Sequence, residues 1–211
     1  MPQQPALRLL VLHGVRLKGF AEASAIADLW RLDEGAVDAE LKELADDGFV
    51  QRREGRVTGW SLTPDGRAQH AFLVAAELED AGTRREVDGA YREFREVNPE
   101  LLATCTAWQL RATETGQSVN DHLDPAYDAS VVQRLAGVHE RIEPVLAVLA
   151  GALWRFGRYP ERLANAVRRV QLGESEWFTK PLLDSYHTVW FELHEDLLAT
   201  LGLQRGAEGR E

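Results

Sequence analysis

The chain has one cysteine, Cys105, so no internal disulfide can staple it, which suits a cytoplasmic protein. It also lacks a long apolar run. The longest run without a charge or a proline break, Val145 to Trp154, has ten residues, about half of the ~20 needed to cross a bilayer, so no membrane span is expected. Near the start, Leu9 to Leu12 is apolar, but His13, Arg16 and Lys18 follow without a small-residue cleavage site, so a secretory signal is not expected either. Basic charge is in deficit. With 24 Lys and Arg against 34 Asp and Glu, the formal net charge is -10, and any grip on nucleic acid or anionic lipid must be local. Nucleophile elbows, Walker loops, dinucleotide fingerprints and His-Glu-x-x-His are all missing, so neither catalysis nor a cofactor is expected.

Metal ligation finds no better footing. His187 and His194 are seven residues apart, about 10 Å along a helix at 1.5 Å per residue, too far to share an ion directly. His139 with Glu143 has i, i+4 spacing, and Asn120, Asp121, His122 and Asp124 collect with Asp128, but neither set forms a recognised metal motif. Asp124 before Pro125 reads more simply as a helix cap.

What is present is an ordinary globular composition, 45% hydrophobic over 211 residues, enough for one large domain or two small ones. Leu7, Leu10, Val11, Val15 and Leu17 recur at helical spacing; Ala23, Ile26, Ala27 and Trp30 give a second helix. Asp33 is placed to cap a third, striped by Val37, Leu41 and Leu44 and stopped at Gly48. Two strand-like runs, Phe49 to Arg53 and Val57 to Leu62, flank the turn Glu54-Gly55-Arg56, and Thr63-Pro64 opens a further helix to about Asp80. This order, with Ala23-x-x-Ile26-Ala27, then Val37, Leu41 and Leu44 leading into Gly48-Phe49-Val50, and finally Leu62-Thr63-Pro64-x-Gly66-Arg67, resembles the winged-helix domain of MarR-like bacterial transcription regulators. The resemblance covers residues 6 to 80 and implies a third helix in the major groove, a wing on the phosphate backbone and binding of double-stranded DNA.

Beyond Ala81-Gly82 the pattern reads as helices alone, over about 84–97, 99–114, 126–156, 160–172 and 180–202, with Pro99, Pro125, Pro160 and Pro181 near helix starts and Pro144 as a kink or break. The expected fold is therefore mainly α: a winged helix with a small β-hairpin over 1–82, an all-helical sensor or dimerisation domain over 83–203, and a frayed tail over 204–211. The run from Ser185 to Leu198 is similar to actinobacterial proteins associated with phosphoenolpyruvate-utilising enzymes, which implies an accessory role beside such an enzyme.

Charge complicates the DNA reading. The third helix presents Glu34, Asp38, Glu40, Glu43, Asp46 and Asp47 against Lys42 alone, and through residue 82 there are nine basic and fourteen acidic side chains. Carboxylates repel phosphates, so affinity would fall to Arg52, Arg53 and Arg56 of the wing, with Lys42 and Arg31 nearby. Alternatively those arginines pair with the acidic helix, and the winged helix docks a protein. In the last helix Leu183, Tyr186, Val189, Trp190, Leu193 and Leu197 make an apolar face, leaving Asp184, Thr188, Glu192, Glu195 and Asp196 for water. Tyr186, His187, Trp190 and His194, with Trp108, Gln109, Tyr127 and Trp154, are candidates to line a pocket for a small organic effector; a filled core or a dimer seam is the alternative. The sequence thus points to a homodimeric, ligand-responsive transcription regulator, or else to a protein-interaction module.

Overall fold

The computed structural model describes residues 2–55, 57–113 and 116–203, and it is mainly helical with small antiparallel hairpins. Arg56 and the 204–211 tail lie outside the described residues. The first part runs α1 (Leu7–Lys18), α2 (Ala23–Trp30), α3 (Glu34–Asp46), β1 (Val50–Arg53), β2 (Gly59–Leu62) and α4 (Pro64–Ala81). The Asp33 carboxylate accepts from Ala36 N–H at 2.9 Å and starts α3 as its position predicts. In the hairpin Val50 faces Leu62 and Arg53 faces Gly59, and Trp60 bridges back to Ala21. Leu10, Ile26, Trp30, Val37, Leu41, Leu44 and Trp60 make the core of this part.

Thr63 closes the wing onto α4. Its hydroxyl donates to Gly48 O at 2.7 Å and accepts from Gly66 N–H at 3.0 Å, while Pro64 fills the first turn, where no N–H partner is needed. Gly66 is required by close approach. A Cβ there would sit 1.8 Å from the carbonyl oxygen of Phe49, so only glycine lets α4 begin against that strand.

After Gly82 the order is α5 (Arg84–Gln109), β3 (Leu110–Thr113), β4 (Gly116–Val119), α6 (Pro125–Ala152), a 3-10 segment (Trp154–Arg158), α7 (Tyr159–Gln171), α8 (Glu176–Thr179) and α9 (Tyr186–Leu201). Three expectations are corrected. Pro99 lies inside α5 rather than at a helix start. Val87, Tyr91, Phe94, Val97, Leu101, Cys105 and Trp108 form one buried stripe through it, and that packing against α6 outweighs the roughly 3 kcal/mol an internal proline costs. Likewise Pro144 lies within α6, whose stripe from Val131 to Leu149 runs past it without a break. Second, this part is not helices alone, because β3 and β4 pair with Leu110 opposite Val119. Third, the last helix starts at Tyr186, where Ser185 caps it, and not at 180.

A second core gathers α5, α6, α7, α8 and α9 around Phe94, Phe156, Tyr159, Phe178, Tyr186 and Trp190. Gly82 ends α4 in a left-handed cap, and the two cores interlock across it, since Leu78 of α4 belongs to the second core and Trp154 packs on the first. No helix among the described residues is long and apolar enough to cross a membrane.

Candidate functional site

The surface a winged helix would present comprises α3 and the hairpin. Glu34, Ala39, Lys42, Glu43, Asp46 and Asp47 of this region are exposed. Lys42, the one cation of α3, is bonded to Asp38 at 2.7 Å. Arg8 of α1 reaches across to Asp47 and lies 3.4 Å from Glu40. Burial nonetheless raises the Glu40 carboxyl above its ordinary pKa, and Arg8 only partly counters it. On the wing, Arg52 is exposed, lies 3.6 Å from Glu54 and sits over the Trp60 ring at 5.7 Å; Arg53 is exposed. Arg56 lies outside the described residues. Arg31 does not join the wing. It donates to both oxygens of Glu161 on α7, at 2.8 and 2.7 Å.

That pair is one of several tying the first part to the second. Lys18 donates to Glu192 at 2.8 Å, Arg16 to Glu195 at 3.2 Å, and Arg158 to the Leu29 carbonyl at 3.2 Å. At the centre is a network buried except at Glu77, which is partly exposed. Arg155, from the 3-10 segment, donates to Glu77 of α4 at 2.8 Å, to Asp196 of α9, and to Thr200 at 3.0 Å. Tyr159 O–H donates to the other oxygen of Asp196 at 2.9 Å. His13 of α1 brings Nε2 within 2.9 Å of Asp196 and Nδ1 within 2.7 Å of His70 Nε2. Neutral rings fit this geometry: Arg155 Nη1 also lies 3.0 Å from His13 Nε2, and the tautomer sets whether Nε2 donates to Asp196 or accepts from Arg155, with Nδ1 taking the complementary role toward His70.

The electrostatics agree. Burial drives His13 down despite Asp196, and burial with the adjacent His13 takes His70 down to about 2. Burial alone would raise Asp196, yet His13 and Arg155 hold it well below the usual carboxylate range. Hence Arg155 and Asp196 form the charged pair and the imidazoles pass hydrogen bonds from α4 through α1 to α9. A histidine beside an aspartate resembles general-base machinery, but His13 and Asp196 are each 0% exposed. Substrate has no approach, so the chemistry this arrangement performs is to lock the two parts together.

Glu192 and Asp196 therefore correct the sequence reading, which left both to water: they are 5% and 0% exposed. Glu192 accepts from Arg162 and Lys18, and Arg162 also grips Asp184 through two bonds at 2.9 and 3.0 Å. Sequence reasoning missed Arg155 and Arg162 as partners. A signal existed, since Glu192, Asp196 and Thr200 recur every four residues beside the apolar stripe and define a second buried line.

Of the residues expected around an effector, Tyr186 stacks on Trp190 at 6.1 Å and both Trp190 and His194 lie against Phe94, whereas Trp108, Tyr127 and Trp154 have other partners. Trp190 is buried, donates to Asn98 Oδ1 at 2.9 Å and stacks on Phe94 at 4.7 Å; Tyr186 is buried with its hydroxyl 3.3 Å from His139 Nδ1. The filled-core alternative describes both. His187 is half-buried, with its pKa lowered by burial, and His194 lies against Phe94 and Tyr91. Trp108 stacks on Phe178 and is ten residues from Asn98 along α5, about 15 Å of helix, so it does not face Trp190. Tyr127 is bonded to the Ala107 carbonyl, and Trp154 meets Trp30. Trp154 lines the cavity under residues 2–6, whereas the cavities at the start of α5, beside the wing and along α7 are lined by none of these residues. Comparison with protein-family models, with curated proteins and with solved structures finds no match.

Proposed function

We propose that this chain is a regulatory protein-interaction module whose winged helix docks a basic protein surface through α3. One observation carries this reading: the exposed surface of α3 bears Glu34, Glu43 and Asp46, while its one lysine is already paired with Asp38 and Arg8 is drawn to Asp47 at the helix end. Placing that face in a major groove would bring carboxylates against phosphates, whereas a Lys- and Arg-rich protein patch would be drawn to it. Arg16, Lys18 and Arg31, which would otherwise offset the acid, are turned to the second part and paired there. The second part then acts as a platform that holds α3 and the wing in fixed orientation.

A DNA-binding regulator is the second reading, favoured by exposed Arg52 and Arg53 on the wing. It carries with it the homodimer and the small organic effector, since a single wing with few cations holds DNA weakly. A photo-crosslinking residue at Ala39, exposed on α3, separates the two. The first reading expects a discrete protein adduct in cell extract that disappears in a Glu43→Arg, Asp46→Arg variant. It fails if the adduct is nucleic acid, or if the purified chain binds genomic fragments at low salt and loses them on replacing Arg52 and Arg53 with Ala.

A further inference from the structure

We propose that the cleft between the α2–α3 turn and α7 binds a small phosphate-bearing anion. The cleft has a volume of about 500 Å³, within the usual range for small-ligand sites, and Arg31, Arg158, Arg162 and Arg168 line it together with Trp177. Glu161 and Asp184 are its acidic lining, leaving two positive charges in excess on a chain whose formal net charge is -10. That excess matches the charge of a phosphate dianion.

The arginines are not equally engaged. Arg162 is spent on Asp184 and Glu192, and Arg31 on Glu161. Arg158 gives its Nε to the Leu29 carbonyl and only approaches Glu161, at 3.6 Å. Arg168 is bonded to the neutral amide oxygen of Asn165, at 3.0 Å, and pairs with no carboxylate among the described residues. Arg158 ends the 3-10 segment just before α7, Asn165 and Arg168 are three residues apart on α7, and both under-paired guanidinium groups line the same cleft. Planar guanidinium forks suit phosphate oxygens better than a point charge does, and each bond would be charge-assisted. Arg31 completes the opposite wall from a left-handed backbone conformation, φ 54°, that residues other than glycine seldom adopt. Burial and the nearby Arg31 also disfavour the charge on Arg158, a penalty an anion would relieve. Trp177 offers an aromatic wall beside the charge, with Arg169 over its ring at 4.3 Å.

The test is calorimetric titration of the full chain with inorganic pyrophosphate at constant ionic strength, with malonate as a dicarboxylate comparator. Saturable binding of pyrophosphate is expected, weakened about tenfold in Arg168→Gln and in Arg31→Gln, and unchanged in Arg134→Gln, an exposed control on α6. Glu161→Gln should tighten binding, because it removes a carboxylate that competes for Arg31; a damaged fold could not produce that gain. No saturable binding, or equal affinity in wild type, Arg168→Gln and Arg31→Gln, would overturn the site. Malonate binding as tightly as pyrophosphate would overturn its preference for phosphate.

Discussion

Individual side chains in this protein follow their surroundings more than their residue type. Trp190 combines ring stacking with a hydrogen bond to Asn98, so Trp190→Ala should cost about 3 to 5 kcal/mol in urea unfolding, the range for emptying a packed aromatic site. Trp190→Phe should cost less but leave Asn98 Oδ1 unpaired. A cost below about 1 kcal/mol for the alanine variant would mean that the site collapses freely, as a pocket wall would. His70 supplies a pH-dependent counterpart. Its folded pKa is depressed from 6.5 to about 2, so between these values the unfolded chain binds the extra proton and stability falls as pH falls. The expected slope is about 1.4 kcal/mol per pH unit for each such histidine once pH is below ~6. His13, also depressed, acts in the same direction. His70→Gln keeps a donor toward His13 and loses the titration, so its stability should decline less steeply from pH 6 to 4; an unchanged slope would assign the acid sensitivity to other groups.

At the scale of elements, what was legible in the sequence is what local chemistry dictates. Asp33, Thr63 and Asp124 each cap the helix that their position announces. Gly66 was legible as part of a motif, though its reason is three-dimensional. Gly66→Ala should therefore destabilise by several kcal/mol, because a Cβ collides with backbone rather than with a yielding side chain; a melting temperature within a degree of wild type would show that α4 can slide away from Phe49. Where local signals yield to packing, the reading failed. Pro99 looked like a helix start because proline prefers one, yet the stripe through it continues to Trp108. The β3–β4 hairpin escaped notice because β4 is exposed throughout, leaving no inward-outward alternation to read. It is anchored instead by Arg111, which lies over the Tyr127 ring at 4.3 Å and donates to Asp124. For the candidate site, the acidity of α3 was plain from composition, whereas the diversion of Arg31 to Glu161 joins residues 130 apart and no spacing rule reaches that far.

Across the whole molecule the decisive feature is that two hydrophobic cores share one buried ionic network. Removing one partner from a buried pair leaves the other charge uncompensated, which typically costs 3 to 5 kcal/mol. Asp196 is the most demanding case, since it answers Arg155, His13 and Tyr159 together and no water can replace it. Asp196→Asn should thus destabilise the chain by an amount in that range. The network should also decide cooperativity. In wild type α1 and α4 cannot separate from α9 without exposing Arg155 and both imidazoles, so calorimetry should record a single transition. In Asp196→Asn the junction weakens while each apolar core keeps its residues, and the trace should broaden or split, the smaller N-terminal core melting first. That order follows from size, because the second core recruits more and longer helices and buries more apolar area. If wild type already unfolds in two separate steps, the junction is too weak to hold α3 and the wing in register with α7. If Asp196→Asn keeps one sharp transition at the wild-type temperature, cohesion lies elsewhere, in the Arg162, Glu192 and Lys18 group that joins α7, α9 and α1 nearer the surface.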